Sequence, residues 1–235
     1  WTFAAALTVS AALLPSAAVA QAPTGKVTVI TSFSKDVTTP FKSAFEKANP
    51  GVQLEILNRN TVAGVRQLEE TRANNTADLF WASAPDAFEV MKAKKLLQVY
   101  KPNAKGIPDK IGSYPINDPS GTYFGFAASG YGIMWNERYA KSHKLPNPKE
   151  WSDLAQPVFH DHVSIASPAR SGTTHLTIEA ILQGEGWDKG WATIKAMAGN
   201  FNQVAERSFG VPDAVNSGQV GVGIVIDFFA YSAQG

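Results

Sequence analysis

The sequence contains no cysteine. This absence excludes a disulfide framework and any metal site built from thiolates. Lysine and arginine total 21 residues against 20 of aspartate and glutamate, which gives a formal net charge of +1. A chain so close to neutral gives no electrostatic reason to expect nucleic acid or an anionic membrane as its partner. Any recognition by charge must therefore be local.

Familiar enzyme motifs are also missing. No serine stands in a G-x-S-x-G motif, and without cysteine there is no thiol nucleophile. Gly218, Gly221 and Gly223 come before an apolar run, whereas a dinucleotide-binding glycine loop follows one. His160 and His162 flank Asp161, but no metal-ligand spacing such as H-E-x-x-H is present. We therefore expect a protein that is not an enzyme and that has no cofactor and no resident metal.

Long apolar runs are confined to the start of the sequence. Residues 1–20 carry no charge, are rich in alanine and leucine, and end in Ala18-Val19-Ala20. An apolar core followed by an A-x-A site is typical of a secretory signal peptide. The alternative is a membrane anchor, which Pro15 and a length near the lower limit for spanning disfavour. We predict a cleaved signal peptide over residues 1–20 and export to the periplasm.

Strand and helix patterns alternate along the rest of the sequence. Residues 26–31, 52–56 and 78–81 are predicted strands, each followed by a helix, and Thr39 is expected to cap the first helix with Pro40 at its first position. Three such units predict an α/β fold with a parallel sheet. Residues 101–122 are rich in Pro, Gly, Asn and Asp and are predicted to be irregular.

A second α/β region is predicted beyond the irregular stretch. Residues 123–135 are expected to be extended and to cross into it. There, strands at Val163 and at 220–226 alternate with helices from Thr173, from Trp187 and near Val211. We predict two lobes, an incomplete first lobe over residues 21–128 and a second lobe over residues 129–235 that ends without a turn or cap.

The turn from Ser167 to His175 carries the clearest binding signal. It follows a short β-branched run and precedes an apolar helical pattern. The first N–H groups of a helix have no partner within the helix, and the helix dipole adds positive potential there. Arg170 adds a fork of donors that matches phosphate or carboxylate. An ordinary helix cap explains the turn equally well when it is read alone, because Ser and Thr are preferred at that position.

Other polar loops are expected at the same edge of the fold. Ligands of open α/β sheets bind beyond the carboxyl ends of the strands. The candidate ligand contacts are Ser32, Ser34, Asn60, Ser83, Tyr131, Arg170, Ser171, Gly172, Thr173, Thr174 and Asp227. Each hydroxyl alone is more readily explained as a cap or turn residue. Their repetition favours a small polar or anionic ligand.

Two further charged positions have alternative explanations. Asp227 follows an apolar run and can accept hydrogen bonds from a ligand hydroxyl or ammonium, or it can pair with a cation inside its lobe. Arg207 lies between Glu206 and Ser208, before another helix start. It can add a second basic contact, although a solvated salt bridge is at least as good an explanation.

Five segments resemble the periplasmic solute-binding proteins of ABC transporters, especially the extracellular solute-binding family 1 and its ferric-iron-like relatives. They are 27–45 (VTVITSFSKDVTTPFKSAF), 77–100 (ADLFWASAPDAFEVMKAKKLLQVY), 130–136 (GYGIMWN), 167–175 (SPARSGTTH) and 215–227. The resemblance implies a monomer with a type II two-lobe fold that closes on one solute and delivers it to a membrane permease. Members of that family continue beyond this length, so the resemblance implies that a C-terminal part is missing.

The resemblance also bears on the solute. Ferric-binding relatives use an adjacent tyrosine pair where this sequence has Phe228 and Phe229, and phenylalanine has no oxygen to coordinate iron(III). Other relatives carry phosphorylated sugars, phosphoglycerate and aminoalkylphosphonates. By this resemblance the solute is a phosphate ester or phosphonate, with Asp227 at its hydroxyl or amino end.

Three other interpretations of the sequence stay open. One is a carrier of iron(III) or another metal through His160, His162 and Tyr231. Another is a carrier of an organic cation such as a polyamine, held by acidic side chains and Trp81. The third is an exported hydrolase, which the missing nucleophile and base disfavour.

Overall fold

The computed structural model describes residues 22–103, 106 and 108–233. The predicted signal peptide, residues 1–20, lies outside the described residues. The described chain forms an α/β fold with two principal sheets, which confirms the predicted two-lobe α/β class. The predicted lobe boundary at residue 128 stays a prediction. None of the described helices combines the length and the apolar character needed to cross a bilayer.

The first lobe is built on a parallel sheet of three strands in the order β2-β1-β3. Its core joins Ile30, Phe80 and Met91, which are buried between the sheet and two helices. The elements are β1 (Gly25–Thr31), α1 (Lys35–Ala48), β2 (Val52–Asn58), α2 (Thr61–Glu70), β3 (Leu79–Trp81), α3 (Pro85–Ala93) and a small hairpin of β4 (Lys110–Ile111) and β5 (Tyr114–Pro115).

The second lobe is built on a sheet of four strands in the order β6-β9-β7-β8. Strand β7 is parallel to both of its neighbours, and β6 runs antiparallel to β9. The elements are β6 (Tyr131–Trp135), α4 (Glu137–His143), two 3₁₀ helices (Trp151–Ala155 and Pro157–Phe159), β7 (Val163–Ala166), α5 (Gly172–Glu185), α6 (Trp187–Ala198), β8 (Phe201–Ala205), α7 (Gly210–Asn216), β9 (Val222–Ile226) and α8 (Asp227–Ser232).

Helix α1 begins earlier than predicted. Ser34, not Thr39, is its N-cap residue, and Pro40 lies inside the helix. The backbone N–H and the hydroxyl of Thr38 both donate to the carbonyl of Ser34, at 3.0 and 3.2 Å. Asp36 in the first turn also favours this start, because negative charge is stabilised near a helix N-terminus. The expected cap at Thr39 was therefore wrong by about one turn.

Other elements also differ from the predictions. The stretch 101–122, predicted to be irregular, contains the hairpin of β4 and β5, and helix α4 was not predicted. Strand β8 was missed, since only five residues with polar Asn202 and Gln203 among them give a weak alternation. Helix α8 was missed because it follows the buried strand β9 without a turn residue between them. Only Tyr131–Trp135 of the predicted extended stretch 123–135 is a strand.

Candidate functional site

The carboxyl ends of strands from both sheets face one crevice between the lobes. Ser32, Asn60 and Ser83 follow β1, β2 and β3 by one or two residues each. The turn from Ser167 follows β7, and Arg207 follows β8. Ligands of open α/β sheets bind at this edge. Two sheets that present it to one crevice form a candidate binding site.

The crevice encloses a cavity of about 30 Å³. A buried water needs at least about 10–15 Å³ measured in this way, so the cavity has room for about two water molecules. Its lining residues come from both lobes: Ser32, Phe33, Asn60, Thr61, Ser83, Arg170, Ser171, Gly172, Thr173, Arg207, Ser208 and Phe229. Among the lining residues described by the structure there are two arginines and no carboxylate.

Four sequence-predicted contacts lie outside this lining. Ser34 is the N-cap residue of α1, and Thr174 is buried one position beyond Thr173 in α5. Tyr131 is the first residue of β6. The carboxylate of Asp227 accepts hydrogen bonds from the backbone N–H of Gly130 (2.9 Å) and of Phe228 (2.6 Å). Their roles as ligand contacts stay predictions.

Tyr131 keeps a neutral phenol. Burial raises its pKa above the usual value, and the nearby carboxylates of Asp86 and Asp227 raise it further. A neutral phenol can donate a hydrogen bond, and it resists the ionisation that binding of a hard metal ion requires.

The N-terminus of α5 brings hydroxyl groups and backbone donors to the cavity. The N-cap residue, Ser171, accepts a hydrogen bond from the backbone N–H of Thr174 at 3.3 Å. Its hydroxyl also contacts that of Thr173 at 2.8 Å, and both hydroxyls contact Ser208 after β8. All three side chains are buried. We call Ser171, Thr173 and Ser208 the hydroxyl cluster; its O–H groups can turn to donate to an anion.

The first lobe contributes a second helix N-terminus. Asn60 caps α2, and its Oδ1 accepts from the backbone N–H of Ala63 at 2.8 Å. Thr61, the first residue of α2, is buried and lines the cavity. Two helix N-termini therefore meet at the cavity from opposite lobes, and each adds positive potential.

The two arginines of the lining differ in their surroundings. Arg170 is exposed and forms a salt bridge with Glu206. Arg207 is half-buried, and one of its terminal nitrogens, Nη1, donates to Oδ1 of Asn58 across the crevice. Its other terminal nitrogen, Nη2, is buried and has no hydrogen-bond partner among the described residues. Burial lowers the pKa of the Arg207 guanidinium, and Glu206 opposes that effect. Arginine remains charged even so.

Aromatic side chains form the remaining wall. Phe33 from the first lobe and Phe229 from the second line the cavity. Phe33 also contacts Phe228 across the lobes, with ring centroids 5.7 Å apart. These rings add apolar surface beside the arginines and hydroxyls, and electrostatic interactions are stronger next to apolar surface than in bulk water.

Sequence reasoning missed several of the lining residues. For Arg207 the sequence allowed two explanations, a contact to the ligand and a solvated salt bridge. For the adjacent Ser208 it predicted no contact. Both follow β8, so recognising that strand would have placed them at the ligand edge. Thr61 and Phe33 were not proposed as contacts, although each is a chain neighbour of a predicted contact, Asn60 or Ser32. Phe229 carried no separate signal, because a buried phenylalanine is an ordinary core residue.

The residues of the metal alternative are not brought together. The backbone carbonyl of His162 accepts from Val222 at the start of β9, whereas Tyr231 lies in α8 beyond the end of that strand. A five-residue strand spans roughly 16 Å. Within the described part of the chain, no group of three or more His, Cys, Asp or Glu side chains is placed to hold a metal ion.

The sequence matches the model of a known protein family. The model described as bacterial extracellular solute-binding protein matches residues 74–235. Among curated proteins, the phosphoglycerate transport regulatory protein PgtC of Salmonella typhimurium is 31% identical over 210 residues. The alignment covers 89% of this chain and 52% of that protein, so the chain spans about half the length of this relative.

Solved structures show the same fold at low sequence identity. One is the periplasmic binding protein AfuA from Actinobacillus pleuropneumoniae with fructose-6-phosphate bound, which is 21% identical to this chain with a TM-score of 0.73. The match covers 86% of this chain and 63% of the AfuA chain. Another is iron-bound HitA from Pseudomonas aeruginosa, which is 17% identical with a TM-score of 0.75. This match covers 89% of this chain and 65% of the HitA chain. At these identities the likeness concerns the fold alone.

Proposed function

The chain belongs to the bacterial extracellular solute-binding protein family, and from this premise we propose that it captures a small phosphate ester or phosphonate between its two lobes. It works in the periplasm without catalysis and hands the solute to an ABC permease. The observation that carries the choice of solute is Nη2 of Arg207. The guanidinium lies over the Phe209 ring at 5.3 Å, but Nη2 has no hydrogen-bond partner among the described residues. A buried charged donor without a hydrogen bond is costly, and an anionic oxygen would accept the missing one.

The rest of the cavity supports an anion. Three buried hydroxyls, two helix N-termini and two arginines contribute donors or positive potential, and no carboxylate stands among the described lining residues. Preorganised donors lose little solvation when the anion arrives, so more of the interaction energy remains for affinity. An organic cation such as a polyamine would face the same donors and find no acidic partner there.

The relatives agree with a phosphorylated solute but leave a second candidate. PgtC is named for phosphoglycerate transport, and AfuA holds fructose-6-phosphate. HitA holds iron. This neighbour makes iron(III) the alternative solute for this chain. Phe229 lines the cavity of this chain, and phenylalanine provides no oxygen for a hard cation. We therefore favour the phosphate compound.

Binding and closure are coupled in this proposal. The solute contacts donors on both lobes, so it binds the closed arrangement better than an open one and shifts the population towards it. The cavity has room for about two water molecules, far less than a sugar phosphate needs. The lobes must separate for such a solute to enter.

Isothermal titration calorimetry tests the proposal. We expect the purified protein to bind 3-phosphoglycerate or fructose 6-phosphate and Arg207→Gln to weaken that binding by about 10- to 100-fold, because a hydrogen bond to a charged group contributes about 1.5–3 kcal/mol. Arg72→Gln is the matched control. It removes the same charge from an exposed position just beyond the far end of α2 and should leave affinity unchanged.

The result also separates the two cargoes. Binding of ferric citrate without binding of either phosphate compound would replace the proposal by the iron alternative. Equal losses in Arg207→Gln and Arg72→Gln would mean that the arginine acts through overall charge and not at the cavity.

A further inference from the structure

The two lobes touch directly beside the cavity at Gly172, the first residue of α5. A Cβ atom built on Gly172 would lie 2.5 Å from Cβ of Ala84 and 3.0 Å from Oγ1 of Thr61. Carbon atoms attract at about 3.5–4.0 Å and repel strongly below that range. The backbone of Gly172 is not in the left-handed region. The approach of the other lobe, and not the local backbone, therefore requires glycine at this position.

A second contact joins the lobes one turn further along α5. Nδ1 of His175 contacts Oδ2 of Asp86, the second residue of α3. An ionised carboxylate only accepts hydrogen bonds, so the imidazole is the donor. Residues three apart on a helix share one face, which puts Gly172 and His175 on the same side of α5. Ala84 and Asp86 meet them from the start of α3, whose helix contacts α5.

We propose that these four residues, Gly172, His175, Ala84 and Asp86, form a closure seam that fixes how closely the lobes approach and so selects solutes by size. Gly172 also lines the cavity, so the seam and the binding site share a border. When a solute is small enough for the seam residues to stay in contact, the closed complex is stabilised by the seam contacts as well as by the contacts of the solute. A larger solute keeps the seam residues apart, so the closed complex lacks the seam contacts. The seam therefore favours smaller phosphate compounds over larger ones, and 3-phosphoglycerate and fructose 6-phosphate differ enough in size to test this.

The choice of phosphate ligands rests on the proposed function, whereas the contacts between the lobes at the seam do not. Gly172→Ala adds a methyl group that the closed lobes cannot accommodate, and it keeps the backbone N–H donors of α5. Alanine is a good residue at a helix start, so the lobe itself should keep its stability. The double variant Gly172→Ala with Ala84→Gly removes the nearest clashing atom and leaves Oγ1 of Thr61, at 3.0 Å, as the nearest.

Two measurements test the seam. The first compares the affinities for 3-phosphoglycerate and fructose 6-phosphate by calorimetry. We expect Gly172→Ala to weaken 3-phosphoglycerate binding by about tenfold, as overpacking of a closed contact does, and fructose 6-phosphate binding by much less. The double variant should recover most of the lost affinity. Gly184→Ala, in the same helix with open space around its Cβ, should match the unaltered protein.

The second measurement reads closure without using affinity. The chain has no cysteine, so Lys47→Cys on α1 and Lys195→Cys on α6 allow two spin labels to report the distance between the lobes. Gly172→Ala should shift the distances to longer values, and Ala84→Gly should reverse the shift. If Gly172→Ala changes neither the distances nor the affinity ratio, the seam is overturned while phosphate binding stands. If neither phosphate compound binds, the proposed function fails, and unchanged distances in Gly172→Ala would overturn the seam as well.

Discussion

The two lobes contribute to the cavity in different ways. The first lobe supplies Ser32, Asn60, Thr61 and Ser83, whose side chains are uncharged hydroxyls and an amide. The second lobe supplies both arginines and the buried hydroxyl cluster. Positive charge and dense hydrogen-bond donors are thus concentrated on one side of the crevice. Under the proposed function, this difference predicts that the second lobe recognises the anionic group and that the first lobe closes over it.

Among the substitutions that test this difference between the lobes, the largest effect is expected from the hydroxyl cluster. Thr173→Val keeps the shape of the side chain and its backbone N–H but removes one hydroxyl. We expect affinity for 3-phosphoglycerate to fall by about tenfold or more, because hydrogen bonds to charged groups contribute about 1.5–3 kcal/mol. Calorimetry measures the loss. Thr177→Val, one turn further along α5 and outside the cavity lining, is the matched control and should bind normally.

A smaller effect is expected from the first lobe. Ser83→Ala removes a hydroxyl that faces the cavity from the loop after β3. If this lobe only completes the enclosure, affinity should fall by about threefold, the scale of a typical hydrogen bond of roughly 0.5–1.5 kcal/mol. A loss as large as that of Thr173→Val would break the comparison, since the two lobes would then share anion recognition equally.

The exposed arginine should matter less than the buried one. Arg170 pairs with Glu206, and the two side chains are 52% and 66% exposed. Exposed pairs contribute about 0–1 kcal/mol and are screened by salt. We therefore expect Arg170→Gln to weaken phosphate-ester binding by less than about fivefold, with the difference shrinking as salt is added. A loss as severe as that of Arg207→Gln, or one insensitive to salt, would return the principal role to Arg170.

The sequence was sufficient to predict the α/β class and the turn around α5. The alternation in β1 and β2, the buried run of β9 and the capping residues before α5 are local features, and each was visible within about ten residues. The glycine and hydroxyls from Ser171 to Thr173 fall at a strand-to-helix turn, so the topology rule alone put them at the ligand edge.

The rest depends on contacts between distant parts of the chain. Arg207 is distinguished by its burial and by its contact with Asn58, which lies 149 residues away in the sequence. No sequence pattern near Arg207 predicts its burial or its contact with Asn58. The neighbouring Glu206 indicated a salt bridge instead. Gly172 likewise looks like an ordinary residue of a helix start until Ala84 of the other lobe is seen against it. Long-range packing of this kind leaves no local pattern.

The smallest expected effect is that of acid on the free energy of unfolding, to which the histidines of the second lobe should contribute and the first lobe, without histidine, should not. All four histidines lie between residues 143 and 175, in the second lobe. His162 contacts the hydroxyl of Tyr139 at 2.8 Å, and His143 stacks on the Tyr139 ring with centroids 3.9 Å apart. Burial lowers the pKa of His162, neighbouring His143 lowers it further, and Asp161 opposes them.

The sign of the pH effect follows from that lowered pKa. The unfolded chain takes up the proton of His162 more readily than the folded protein does, so its contribution to stability is present at neutral pH and decreases as the pH falls below the ordinary histidine pKa. Urea unfolding at pH 7.5, 6 and 5 should show a weaker decline for His162→Gln than for the unaltered protein. His160→Gln, at an exposed side chain in the same loop, should keep most of the decline, because His160 is the smallest of the causes that lower the pKa of His162. Identical declines in all three proteins would mean that carboxylates, which both lobes contain, govern the response to acid.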